Sequence, residues 1–249
     1  MRELAVNSSE KLIVLRHDVD NIWSIYKSGI KGRGMKILNY SLMLFPSTTI
    51  RQLLPNYLDT VLELVDLEKD YGATSTFFFR VCTAPTKRIL NELLKSNCEI
   101  GYHSDRNRSF EEFYRDLLAL KRMVGYEIFG FTKHGYSPVR SGGPWDEAKF
   151  IEYGVKAKLK YLAQGEGHPD WEYPKVIRGL LVFGHHITLK KCSKEQVKEY
   201  VERRKVPLIL VHPEDLSIPG IKEMFEELLT MGRGVSVINF LSYANLLQS

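Results

Sequence analysis

Short runs of β-branched and aromatic residues alternate with longer stretches of helical periodicity along most of the chain. Leu12-Ile13-Val14-Leu15 is the first run, and an amphipathic pattern over about 50–71 follows it. Ala73 to Arg80, which holds Phe77-Phe78-Phe79, predicts the next strand, and about 85–96 the next helix. Pro85 stands at that helix start, where a missing N–H costs nothing. Cys98 to His103 predicts a third strand. Ser109 and Glu112, three apart, supply a reciprocal cap for the helix that follows, in which Phe110, Phe113, Leu117, Leu120 and Val124 share one face. Glu127 to Thr132, Lys158 to Leu162, Val176 to Phe183 and Val235 to Ile238 read as further strands. Val206 to Val211 is almost wholly apolar, as a parallel strand buried on both faces should be. Helices are expected over 144–153, after the Ser193–Gln196 capping pair, over 218–231 and at the end of the chain.

Some seven or eight β-α units in about 240 residues match an α/β fold of (β/α)7-8 barrel type, with a doubly wound open sheet as the alternative. No repeat of fixed period and no Pro/Ser-rich linker divides the chain, so 1–249 reads as one domain.

Composition adds exclusions. The 249 residues carry 35 Lys+Arg and 30 Asp+Glu, and the charges are interleaved rather than gathered into a basic stripe, which argues against a nucleic-acid partner. No run of about 18 apolar residues occurs, so no membrane span is expected. Three cysteines without C-x-x-C spacing make neither a disulfide framework nor a zinc knuckle. The first residues lack the apolar core of a signal peptide, and the expected location is the cytoplasm.

In a parallel barrel the chemistry lies where strands end. There the sequence places Arg16-His17-Asp18-Val19-Asp20, Tyr102-His103-Ser104, Lys133-His134-Gly135 and His212-Pro213-Glu214-Asp215. Four of seven histidines, His17, His103, His134 and His212, are thus expected at one rim. Asp18 and Asp20, two apart on an extended segment, point the same way. Two carboxylates in one pocket repel unless a cation or proton separates them. A turn or capping role for one of the pair is the alternative.

Taken in order, Leu15 to Asp20, Ala73 to Arg80, Glu99 to His103 and Leu208 to Pro213, with weaker likeness over Gly130 to Gly135, resemble the polysaccharide deacetylases of the NodB-homology type. These form carbohydrate esterase family 4, and the likeness is to the subgroup whose first motif reads Arg-His-Asp-Val-Asp. The resemblance implies a distorted barrel and metal-dependent removal of an N-acetyl or O-acetyl group from a sugar. It makes Asp18 the general base, Asp20 and His103 metal ligands, and His212 the general acid. It implies a divalent metal, zinc by preference. Asn107 stands where the family has a second metal histidine, and its neutral amide oxygen is a poor zinc ligand. Either His134 from the neighbouring strand is the third ligand, or metal binding is weak or absent. Lys133, or Arg140 near Pro138, is expected to do part of the work of the family's Arg-containing motif.

Residues 21–49 form a long segment directly after the first strand, where Lys31, Arg33 and neighbouring glycines offer charge and backbone N–H groups to an anion. A solvated loop is the plainer reading. The anionic reading extends the substrate to an acidic sugar, a sugar nucleotide or a lipid-linked glycan. Together with the expected location it points to cytosolic biosynthesis of a surface polysaccharide of O-antigen type. Tyr136, Trp145 and Trp171 are candidates for stacking on sugar faces. His185 and His186 would face opposite ways on a strand, so at most one reaches the mouth. Hydrolysis of a cyclic amide without metal, or carbohydrate binding without turnover, are the other functions this scaffold allows.

Overall fold

The computed structural model describes residues 2–3, 11–22, 37, 41, 56–135, 145–163, 168–231 and 235–247. Its centre is a curled, mainly parallel sheet in the order β1-β7-β8-β6-β5-β4-β3-β2-β10-β9, with β11 also paired to β2. The strands are β1 (Arg2–Glu3), β2 (Lys11–Val19), β3 (Thr76–Phe79), β4 (Glu99–Ser104), β5 (Gly130–Lys133) and β6 (Tyr161–Ala163). They continue with β7 (Lys175–Ile177), β8 (Leu180–Phe183), β9 (Ile187–Thr188), β10 (Leu208–Leu210) and β11 (Val235–Ile238). The eight strands from β8 to β9 in this order run parallel, while β7 and β1 extend the β8 edge antiparallel. Among the described residues no ladder joins β8 to β9, so the expected barrel takes the form of an open, half-closed one.

The helices are α1 (Asp59–Asp70), α2 (Lys87–Lys95), α3 (Phe110–Val124), α4 (Glu147–Lys156), α5 (Lys194–Arg203), α6 (Ile221–Thr230) and α7 (Phe240–Leu246). Their starts are local. Thr86, Ser109, Asp146, Ser193 and Asn239 each accept a backbone N–H of the first turn. Pro85 lies just ahead of the Thr86 cap, and Glu112 reaches the amide of Arg108 rather than that of Ser109.

Strand alternation sorts the core into two layers. Ile13, Leu15, Phe77, Phe79, Ile100, Tyr102, Phe131, Leu162, Val182 and Ile209 face the helices. Leu12, Val14, Phe78, Tyr161, Ala163, Leu181, Phe183 and Leu208 line the concave side, which α7 closes from below with Phe240, Tyr243 and Ala244. Phe240 stacks on Tyr161 at 5.0 Å and meets Phe183 edge-on at 4.5 Å. Apolar side chains therefore fill the lower half of the barrel, and the polar residues that continue the same inward rows occupy its mouth.

The expected strand 176–183 is a hairpin, β7 and β8, turned by Arg178 and Gly179 at φ 51° and 84°. Two successive positive φ values are the geometry that joins adjacent antiparallel strands.

Candidate metal centre and catalytic mouth

The register of β2 explains why its polar residues converge. Arg16 lies opposite Thr76 and Leu210, and Asp18 opposite Phe78, whose other neighbour is Gly101. Two residues further along these rows stand Asp20, Arg80, His103 and His212, one at each strand end. Gly101 is required here, because a Cβ would run into the Phe78 ring below the two aspartates.

Asp20 is the hub. Its Oδ1 lies 3.0 Å from His103 Nε2 and 3.2 Å from His134 Nε2, and its Oδ2 lies 3.5 Å from His212 Nε2. One ligand atom from each of Asp20, His103 and His134 falls within 4.8 Å of the others. A carboxylate oxygen and two imidazole nitrogens so close together are a donor set that suits zinc or a similar divalent cation. Burial opposes the charge on Asp20, but His134 and His103 override it and hold the carboxyl well below its ordinary value. Burial lowers the pKa of His103, which favours the neutral imidazole a metal requires.

Asp18 lies beside this cluster, 3.8 Å from His103 Nε2. Arg16 grips it with two bonds, Nε to Oδ1 at 2.8 Å and Nη2 to Oδ2 at 2.6 Å. Burial would raise the Asp18 pKa, yet the Arg16 guanidinium prevails and brings it down to about 2. Arg16 is held in turn by the Ala163 carbonyl at 3.2 Å, the Thr132 hydroxyl and His186 Nδ1 at 3.3 Å. His186 is thus the member of the His185-His186 pair that reaches the mouth.

On the opposite side, His212 Nδ1 lies 3.0 Å from Asp215 Oδ2, and Lys190 Nζ donates to Asp215 Oδ1 at 3.0 Å. Burial alone would lower the His212 pKa; the Asp215 hydrogen bond and the charges of Asp20 and Asp18 raise it to about 9. Glu214 accepts from Asn21 at 2.7 Å, tying the chain after Asp20 to the turn that follows His212.

Asp18, Asp20, His103, His134 and His212 therefore meet, although they lie far apart along the chain. His17 does not join them. The parity that turns Asp18 and Asp20 inward turns His17 toward α1, where it is fully buried with Nε2 2.6 Å from Glu68 and Nδ1 2.8 Å from the Val211 carbonyl. The Asn107 amide nitrogen donates to the Ser104 carbonyl and hydroxyl at 3.3 Å, closing the turn after β4, while its buried Oδ1 has no hydrogen-bond partner among the described residues. Lys133 Nζ donates to the His134 carbonyl at 3.0 Å and braces the strand end. Trp171 stacks on His168 at 4.0 Å with Lys175 over its ring, and Trp145 stacks on Phe150 at 5.1 Å. Lys31, Arg33, Tyr136 and Arg140 lie outside the described residues.

Arg16, Asp215 and Lys190 were not assigned roles from sequence. The spacing of Arg16, two residues before Asp18, carried the signal. Asp215 and Lys190 meet His212 through turn geometry that periodicity does not encode.

No family model matches the chain, and no curated protein matches it in sequence. Solved structures do match in fold. A putative polysaccharide deacetylase from Mycobacterium smegmatis is 14% identical, with TM-score 0.66 over 100% of this chain and 94% of its own. A probable polysaccharide deacetylase from Pseudomonas aeruginosa PAO1 is 13% identical, with TM-score 0.57 over 94% and 89%. A mutant of a CE4 family pseudoenzyme with restored enzymatic activity is 13% identical, with TM-score 0.53 over 95% of this chain and 68% of its own. The chain thus has the distorted-barrel fold of the CE4, NodB-type polysaccharide deacetylases.

Proposed function

We propose that the protein is a metal-dependent carbohydrate deacetylase. The observation that carries this reading is the convergence of Asp20, His103 and His134 within 4.8 Å, flanked by Asp18 on one side and His212 on the other. Asp20, His103 and His134 would hold a divalent cation, and Asn107 would serve the turn instead. When bound, the cation lowers the pKa of a water molecule and polarises the acetyl carbonyl. Arg16 keeps Asp18 ionised and fixes both of its oxygens beside the cation site. The role of Asp18 is to orient the water and accept its proton. His212, whose Nδ1 is backed by Asp215, would give its proton to the leaving amine or alcohol. The finer reading, an anionic substrate such as a sugar nucleotide or lipid-linked precursor, rests on the Lys31 and Arg33 segment of the sequence.

Acetate release from N-acetylated and O-acetylated sugars, with metal-stripped and zinc-loaded protein, tests the proposal. Release is expected only with metal, and Asp18→Asn and His212→Gln should each cost about 10²–10⁴-fold. Metal-independent opening of a cyclic amide, or sugar binding without any acetate release, would contradict it.

A further inference from the structure

The chain at Asp20 is gripped by its backbone from the turn that follows β3. The last ladder pair of β2 is Val19 with Phe79, so Asp20 extends past the sheet. Arg80, 5% exposed, directs Nη1 to the Asp20 carbonyl at 3.1 Å. Its Nε donates to Asp105 Oδ2 at 2.8 Å, and Nη2 reaches the same oxygen. Three residues on, Thr83 accepts the Arg80 amide at 3.2 Å and donates its hydroxyl to the Val19 carbonyl at 2.7 Å. One short turn after β3 thus holds two consecutive carbonyls at the end of β2. Through Asp105 it also holds the loop two residues beyond His103.

We propose, on the reading that Asp20, His103 and His134 bind a divalent cation, that Arg80 and Thr83 are positioning residues that set Asp20 and the end of β4 at ligand spacing before the cation arrives. A carboxylate on a loose strand end loses freedom when it ligates, and a clamp made in advance removes that cost from binding. Groups behind a metal's direct ligands commonly govern affinity in this way. The planar guanidinium suits the task because it spans a carbonyl and a carboxylate at once, which a single ammonium cannot do with the same geometry. Asp105 balances its charge, so the clamp does not repel a cation.

The test is cobalt(II) titration of metal-free protein, read by visible absorption with zinc competition, beside melting curves recorded without metal. Arg80→Gln and Arg80→Lys should weaken binding about 10–100-fold. Thr83→Val, which removes only the hydroxyl, should weaken it about 2–12-fold, and Thr83→Ser should restore it. The saturated spectra should match wild type, since the ligands are unchanged. Wild-type affinity in both Arg80→Gln and Thr83→Val would overturn the clamp, as would a Thr83→Val loss that follows the melting temperature and is not rescued by Thr83→Ser. Failure of the metal reading itself would show separately, as wild type and Asp20→Ala binding cobalt equally poorly.

Discussion

Glu99 opens β4, the strand that ends in His103, and it lies at the floor of the barrel with 4% exposure. Its Oε2 accepts from the Thr76 hydroxyl at 2.8 Å and from the Leu241 amide of α7 at 3.0 Å. Burial pushes its pKa from 4.5 up to about 7, outweighing those hydrogen bonds, which pull it down. The folded chain is then the weaker acid. Below the unfolded value both states hold the proton and Glu99 costs nothing. As pH rises the unfolded chain ionises first, so stability falls, and the loss is complete above the folded value. The gap corresponds to about 3 kcal/mol. Glu99→Gln keeps a neutral, similarly shaped side chain and abolishes the effect. Urea unfolding of wild type and Glu99→Gln from about pH 4 to about pH 8 measures it, because every other titrating group cancels in the difference. Glu99→Gln should gain about 3 kcal/mol on wild type across that range. A difference that stays constant with pH would refute the reasoning.

Asp215→Asn removes the partner that most strongly holds up the His212 proton, so the His212 pKa should fall from about 9. The high-pH limb of kcat/KM should move down with it, and an NMR titration of His212 that matches wild type would contradict this. Arg16→Met leaves Asp18 buried without its cation, which should cost about 3–5 kcal/mol in unfolding free energy. The same variant should let the Asp18 pKa rise from about 2; an unchanged melting temperature would show that the pair is not structural.

The alternation of strands and helices was legible because parallel strands buried on both faces read as apolar runs, and helices such as α3 and α5 announce themselves by the Ser109 and Ser193 caps. The hairpin at 178–179 was hidden inside one such run, since Arg178 gives no turn signal apart from the glycine beside it. Parity was the decisive rule at the site. It placed Asp18 and Asp20 together, and applied one residue further it sends His17 to Glu68 and brings Arg16 onto Asp18. The sequence named His134 as a candidate third partner beside Asn107, but did not decide between them, because that depends on how β5 lies beside β4. The Ser104 carbonyl accepts the His134 amide at 2.8 Å and sets that side chain next to His103. The pairing of His212 with Asp215 arises from the tight turn over Pro213–Ser217, where three residues return the chain on itself.

Calorimetric titration of metal-free protein with zinc, for wild type, His134→Ala and Asn107→Ala, addresses the metal centre itself. One equivalent should bind to wild type and to Asn107→Ala, while His134→Ala should lose most of the affinity. Tight binding by His134→Ala, with loss in Asn107→Ala, would contradict the assignment of Asp20, His103 and His134 as the ligands.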